Sequence, residues 1–130
     1  MNDLNRWAPQ MLSVLRIVTG LLFLQHGTQK ILGFPAGDRP QPELFSQLGI
    51  GGMLELVGGV LIILGLFTRP VAFVLSGMMA VAYWQFHGLQ SAYPILNGGE
   101  LAALYCFVFL YFVFSGPGPW SLDARLRNRT

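Results

Sequence analysis

Charged residues are scarce in this chain. Asp, Glu, Lys and Arg make up 11% of its 130 residues, whereas roughly 25% is usual for soluble globular domains. Apolar residues make up 53%, so water is a poor solvent for most of the chain. The net charge is only +2 and the basic residues form no stripe, which leaves no support for nucleic-acid binding.

Cysteine is almost absent as well. Cys106 stands alone, which excludes an intramolecular disulfide, a Cys-x-x-Cys redox pair and a cysteine zinc site. A cleavable secretory signal is not indicated, because Arg16 interrupts the first apolar stretch and no small-x-small site follows Leu24. We expect that stretch to be a retained helix.

The chain contains long apolar stretches. A membrane-spanning helix needs about 20 mostly apolar residues to cross a hydrocarbon core of about 30 Å. Four stretches qualify, at about 9–32, 49–67, 70–87 and 98–114. Clusters of Gly and Pro separate them, and Ser121 is a candidate N-cap after the last one. The sequence therefore predicts one all-α domain over 1–130, an integral membrane four-helix bundle with short loops and a short C-terminal surface helix.

The flanking cations predict the orientation, because cytoplasmic loops carry the excess of Lys and Arg. With four spans both termini share one side, and Lys30 and Arg39 fall on the other. The side of the termini carries five arginines: Arg6, Arg69, Arg125, Arg127 and Arg129. We therefore expect both termini to be cytoplasmic.

Six ionisable residues lie within or at the ends of the apolar stretches: Arg16, His26, Lys30, Glu55, His87 and Glu100. Such a group at mid-bilayer costs at least about 2.5–3.5 kcal/mol, so it normally faces the bundle interior, pairs and marks a functional site. The topology places all of them except Arg16 in the outer half of the membrane. We expect those five to meet in a common pocket.

Arg16 lies deeper, toward the cytoplasmic side, and needs carboxylate or carbonyl acceptors. Glu55 is its best candidate partner, although such a pair could serve only to fix helix register. The histidines, Lys30 and Glu100 could also be ordinary interfacial residues. Glycines at helical spacing around Glu55 predict close helix packing, within one chain or between two.

The motifs, in chain order, resemble those of the DoxX family of bacterial membrane proteins over nearly the whole chain. The first span carries Arg16, Thr19-Gly20-Leu21-Leu22-Phe23, His26-Gly27 and Lys30-Ile31. The second carries Glu55-Leu56-Val57-Gly58-Gly59 and Gly65-Leu66-Phe67-Thr68-Arg69-Pro70. His87, Asn97-Gly98-Gly99-Glu100-Leu101-Ala102 and the tail Gly116-Pro117-Gly118-Pro119-Trp120-Ser121-Leu122-Asp123 complete the set.

The resemblance implies a four-helix fold in the bacterial inner membrane and an association with redox chemistry, since some members are subunits of thiosulfate:quinone oxidoreductases. Members that handle disulfides carry paired cysteines, which this chain lacks. The sequence has no evident haem, flavin, iron–sulfur or metal motif. We expect no cofactor bound by the chain itself, and quinone as a diffusible partner.

Our leading hypothesis is a membrane subunit of a quinone-linked oxidoreductase system. A quinone reduced in lipid gains protons with its electrons, and Glu or His in an apolar site suits that transfer. The hypothesis assigns Glu55 and His26 as catalytic proton carriers, and four residues to substrate binding: Arg16, Lys30, His87 and Glu100. The expected partners are the lipid bilayer and a redox protein that supplies electrons, and a homo-oligomer stays open.

Two other classes of function fit the same residues. A non-catalytic module could bind or transport a small anion or lipid-like molecule, with Arg16, Lys30 and Arg39 attracting its charge and Glu55 as a gate. A structural subunit could stabilise a partner through its glycine-rich faces. The spacing of the histidines and glutamates fits no standard metal motif, so we predict no metal site.

Overall fold

The structure is a computed structural model that describes residues 2–128, and these residues form helices and no strand. The helices are α1 (Asn2–Asn5), α2 (Ala8–Leu32), α3 (Gln47–Leu64), α4 (Thr68–Ala82), a π-helix (Tyr83–Gly88), α5 (Pro94–Asn97), α6 (Glu100–Ser115) and α7 (Leu122–Arg127). The all-helical prediction is confirmed. Arg129, which the sequence also places near the surface helix, lies outside the described residues.

Two of these helices, α2 with 25 residues and α3 with 18, are long and apolar enough to cross a membrane. The third predicted stretch corresponds to α4, which continues without a break into the π-helix. The fourth corresponds to α6, an apolar helix of 16 residues. Four long helical segments therefore lie close to the predicted positions, with the third one irregular in its last turns.

Local chemistry sets the ends of α2 and α3. Pro9 lies in the first turn of α2, where its missing N–H costs no helical hydrogen bond. Ser46 caps α3 by accepting a hydrogen bond from the Gly49 N–H at 3.1 Å. Gly33 and Gly65 end the two helices with φ of 71° and 67°, in the left-handed region that glycine adopts without strain.

The outside of the bundle is apolar. Large apolar side chains are exposed along every long helix, among them Leu21, Val57, Phe73, Leu104 and Phe107. A soluble monomer rarely exposes contiguous apolar patches larger than a few hundred Å². This surface is consistent with a lipid environment.

Glycines bring α2 and α3 together within one chain, which answers the question of packing that the sequence left open. A Cβ added at Gly27 would lie 2.5 Å from the Leu56 backbone nitrogen, and one at Gly59 would lie 3.0 Å from the Leu24 Cα. The two backbones are therefore in direct contact along the seam. By contrast, a Cβ at Gly51 would meet no atom within 4 Å.

Candidate functional site

An ion pair between α2 and α3 is the first element of the site. The Lys30 ammonium donates to both carboxylate oxygens of Glu55, at 2.8 and 3.0 Å. The Glu55 side chain is 7% exposed and that of Lys30 is 30% exposed. Glu55 is thus a buried carboxylate whose charge is compensated by a partly accessible cation.

The glycine seam explains why these two side chains meet. A Cβ at Gly52 would lie 2.9 Å from the Lys30 Cβ, and one at Gly27 would lie 2.9 Å from the Glu55 carbonyl carbon. Larger residues at either position would push the helices apart. The close approach lets a short Glu side chain reach the Lys30 ammonium across the helix interface.

His26 and Tyr105 complete the cluster. His26 lies one turn before Lys30 on α2, half-buried, with its ring 6.2 Å from that of Tyr105 in an edge-to-face arrangement. Tyr105, on α6, is 6% exposed and its ring stacks on Phe109 at 5.8 Å. We call Lys30, Glu55, His26 and Tyr105 the Glu55 site.

Sequence reasoning missed Tyr105, because a tyrosine in an apolar stretch is usually read as packing or as an interfacial ring. The available signal was its position. Tyr105 follows Glu100 by five residues, which places it more than one turn inside the apolar helix α6 rather than at the helix end, where an interfacial tyrosine would be expected. A buried phenol normally needs a polar partner, and the Glu55 site supplies polar neighbours.

His87 and Glu100 lie at the end of the bundle, outside the Glu55 site. The His87 Nδ1 is 3.0 Å from the Asn97 carbonyl oxygen. The buried Asn97 amide donates to the Tyr83 hydroxyl at 3.1 Å and accepts from the Gly99 N–H at 2.8 Å. Glu100 is the exposed first residue of α6. Within residues 2–128, no hydrogen bond or ion pair joins either residue to Lys30 or Glu55.

Arg16 lies elsewhere, and its predicted pairing with Glu55 is wrong. The guanidinium is completely buried and donates to four backbone carbonyls. The acceptors are Ile62 (2.9 Å), Pro117, Trp120 (2.6 Å) and Ile63 (3.5 Å). The last carbonyls of a helix have no partner within it and carry its negative dipole end, so the end of α3 attracts a cation.

The segment after α6 folds back over this end of the bundle. The backbone N–H of Trp120 donates to the Ser13 hydroxyl at 3.1 Å. The Asp123 carboxylate accepts from the Phe67 and Thr68 N–H groups, at 2.8 and 2.9 Å, and so caps the start of α4. Together with Arg16 these contacts form what we call the carbonyl clamp, which fixes the 116–123 segment against α2, α3 and α4.

The described residues offer no ready metal site. Across 2–128, no group of three or more His, Cys, Asp or Glu side chains is placed to hold an ion. The Glu55 site instead combines a carboxylate, an ammonium, an imidazole and a phenol. These groups can donate, accept and pass on protons in an apolar surrounding.

Residues 11–88 match the DoxX family model. The chain is similar to an uncharacterized protein of Haemophilus influenzae, at 47% identity over 95% of this chain and 96% of that one. It is similar to the inner membrane protein YphA of Escherichia coli, at 29% identity over 95% of each chain.

A third relative carries a name that suggests chemistry. CatD of Bacillus subtilis is named provisionally as an oxidoreductase and is 31% identical over 85% of this chain and 82% of its own. No solved structure matches the chain. The family match and the relatives' names are consistent with a lipid bilayer as its environment. The chain belongs to the DoxX family.

Proposed function

We propose that this chain is a four-span protein of the bacterial inner membrane with both termini in the cytoplasm. The support is the length of α2 and α3, the continuous helical segment from α4 through the π-helix, and the apolar α6. The arginines flanking the termini favour the cytoplasmic side. Green fluorescent protein fused after residue 128 should then fluoresce, and alkaline phosphatase inserted in the 33–46 loop should be active. The reverse pattern would refute the orientation.

We further propose that the protein is the membrane subunit of a quinone-linked oxidoreductase system and that the Glu55 site handles the protons. The observation that carries this proposal is the buried Glu55 carboxylate, paired with Lys30 beside an imidazole and a phenol in an apolar bundle. Burying a charged pair inside an apolar bundle costs free energy, and ionisable residues in such places usually mark ion or proton pathways. The provisional oxidoreductase name of CatD points in the same direction.

The chemistry requires that protons and electrons arrive together. Reduction of a quinone to a quinol consumes two electrons and two protons, and a partner protein would supply the electrons. The Lys30 ammonium can donate a hydrogen bond to a quinone carbonyl oxygen, because two of its three N–H groups are used by Glu55 and one is left. Glu55 and His26 would deliver protons, and the Tyr105 hydroxyl would act as a further donor beside them.

The ion pair gives a way to couple these steps. When Glu55 takes up a proton, its attraction for Lys30 falls, because a neutral carboxyl no longer compensates the ammonium. Lys30 is then available to polarise the substrate oxygen. When Glu55 releases that proton to the substrate, the pair forms again. The same two residues therefore alternate between a closed ion pair and an open, proton-loaded state.

The remaining predicted site residues take more distant roles in this proposal. His87 and Glu100, at the end of the bundle on the outer side of the proposed topology, would pass protons between water and the Glu55 site. Arg16 is enclosed by carbonyls in the other half of the bundle, so we assign it to holding the 116–123 segment rather than to substrate.

The test is quinone-dependent turnover in membranes that contain the full chain and its native partners. Glu55→Gln keeps the size of the side chain, but it replaces one acceptor oxygen with an NH2 donor and cannot carry the proton, so turnover should fall about a hundredfold or more. Glu43→Gln, which removes an exposed carboxylate in the 33–46 loop, is the matched control and should leave turnover intact. Unchanged turnover in Glu55→Gln at normal protein levels would refute the proton role. Uptake of a small anion into proteoliposomes without an electron donor would favour a transport module instead.

A further inference from the structure

A groove lies where α3 ends, beside the carbonyl clamp. It has a volume of about 530 Å³ and opens between the last two residues of α3, Ile63 and Leu64, the 119–121 turn and one side of α7. The surface helix contributes Leu122 and Arg125, and Asn128 follows directly after it. We call it the α7 groove.

Arg125 gives the α7 groove a positive charge. None of the described residues that line the groove is Asp or Glu. Within residues 2–128, the exposed Arg125 guanidinium has no hydrogen bond and no ion pair. Asp123 is close in sequence, but its carboxylate accepts from the Phe67 and Thr68 N–H groups, and residues two apart on a helix do not face each other. The Arg125 guanidinium is therefore available to an external anion.

Hydrogen bonds hold the walls of the groove in place. The Ser121 hydroxyl caps the start of α7. The Asp123 N–H donates to the Gly65 carbonyl at 2.9 Å, which ties α7 to the end of α3. The Trp120 carbonyl accepts from the buried Arg16 guanidinium at 2.6 Å. The arginine of the groove is thus presented by a helix whose position is fixed before any ligand arrives.

An apolar track leads from the groove along α3 toward the middle of the span. Val57, Val60 and Leu64 are 60%, 42% and 44% exposed, and their spacing places them on one face of the helix. They cover about 10 Å along the helix axis at 1.5 Å per residue. Trp120 is exposed at the groove itself, and tryptophan is enriched at the level of lipid headgroups. The cation therefore lies at headgroup level with a hydrocarbon-facing stripe below it.

We propose that the α7 groove binds an anionic phospholipid of the surrounding bilayer. Its phosphodiester lies against the Arg125 guanidinium and the Asn128 amide, and an acyl chain follows Leu64 and Val60 along α3. A free anion would use only the cationic end, whereas a lipid uses the cation and the apolar track together. The inference rests on the four-span arrangement proposed above and is independent of the redox role of the Glu55 site.

Native mass spectrometry of the purified full chain in detergent tests this site. Phosphatidylglycerol should bind at least about fivefold more tightly than phosphatidylcholine with the same acyl chains, and Arg125→Gln should weaken phosphatidylglycerol binding about fivefold. Arg6→Gln makes the same charge change at an exposed position outside the groove. Arg6 lies just before α2, which is antiparallel to α3, so it is at the same end of the bundle and is the matched control. Its phosphatidylglycerol binding should equal that of the unmodified chain.

Several outcomes would overturn the proposal. Equal binding of the two lipids would show that charge is not recognised, and an equal loss in Arg6→Gln and Arg125→Gln would show diffuse attraction rather than a site. Displacement of phosphatidylglycerol by inorganic phosphate at equal concentration would assign the groove to a free anion. Arg125→Gln should unfold at the same temperature as the unmodified chain, and a clear drop would show that Arg125 supports the fold instead of a lipid.

The result is separable from the functions proposed above. Reporter fusions that reverse the orientation would refute the topology, whereas a loss of phosphatidylglycerol selectivity confined to Arg125→Gln would still assign the groove. Quinone-dependent turnover of Arg125→Gln should equal that of the unmodified chain, because Arg125 lies at the opposite end of α3 from Glu55 and Lys30.

Discussion

Replacing Arg16 by Met should loosen the end of the bundle that the 116–123 segment covers, without touching the Glu55 site. Met has a similar length and no hydrogen-bond donor, so the carbonyls of Ile62, Pro117 and Trp120 lose their shared partner. A buried polar group without a partner costs about 1–3 kcal/mol, and this cost is partly offset because a charge is no longer buried. We expect a net loss of about 3 kcal/mol in the free energy of unfolding.

The assay is reversible unfolding in mixed micelles, combined with limited proteolysis of the 116–123 segment. Arg16→Lys keeps the charge but loses the planar fork of donors, so its stability should fall between those of the unmodified protein and Arg16→Met. Arg39→Met, which changes an exposed arginine in the 33–46 loop, is the control and should unfold like the unmodified protein. If Arg16→Met is equally stable and its C-terminal segment equally protected, the carbonyl clamp does not hold this end together.

Three further predictions concern the seam, the clamp and the site. Gly27→Ala should destabilise the bundle by about 1–3 kcal/mol, since its Cβ would lie 2.5 Å from the facing backbone, whereas Gly51→Ala meets open space and should have little effect on thermal unfolding. Asp123→Ala should expose the C-terminal segment to protease, because it removes two charge-assisted hydrogen bonds of about 1.5–3 kcal/mol each; unchanged cleavage would contradict its capping role. Tyr105→Phe should lower quinone-dependent turnover about tenfold or more with little change in stability, and equal turnover in Tyr105→Phe and the exposed control Tyr93→Phe would remove the phenol from the mechanism.

The composition of the chain and the positions of its Gly and Pro residues were enough to predict the helices. A low charge content and four apolar stretches separated by Gly and Pro leave few other arrangements, and Ser46 and Gly65 end α3 through ordinary capping chemistry. The π-helix was not predictable, because the 83–88 stretch carries no residue pattern that distinguishes it from a regular helical end. Its wider turn places His87 against the Asn97 carbonyl.

The Glu55 site was predictable only in part, because helical phase gives a face but not a register between helices. Along the seam Gly27 faces Leu56 and Gly20 faces Ile63, so α2 and α3 are antiparallel. In this register Lys30 is the cation within reach of Glu55. Arg16 lies 14 residues before Lys30, which is about 21 Å along the α2 axis at 1.5 Å per residue, and faces the C-terminal end of α3.

Backbone acceptors explain the remaining error. Every residue has a carbonyl group, so nothing in the sequence marks those of Pro117 and Trp120 as partners of a buried arginine. Carboxylates are visible in a sequence, which is why Glu55 was the natural candidate for Arg16. Only the fold of the 116–123 segment reveals the alternative.

Exchanging the two charges of the ion pair tests the central claim most directly. The double variant Lys30→Glu with Glu55→Lys keeps an ion pair between α2 and α3 but moves the carboxylate to the other helix. We predict that the double variant regains most of the stability lost in Glu55→Lys alone, while quinone-dependent turnover stays at the level of Glu55→Gln. Turnover restored together with stability would contradict the account, because the pair would then serve only to hold the helices in register.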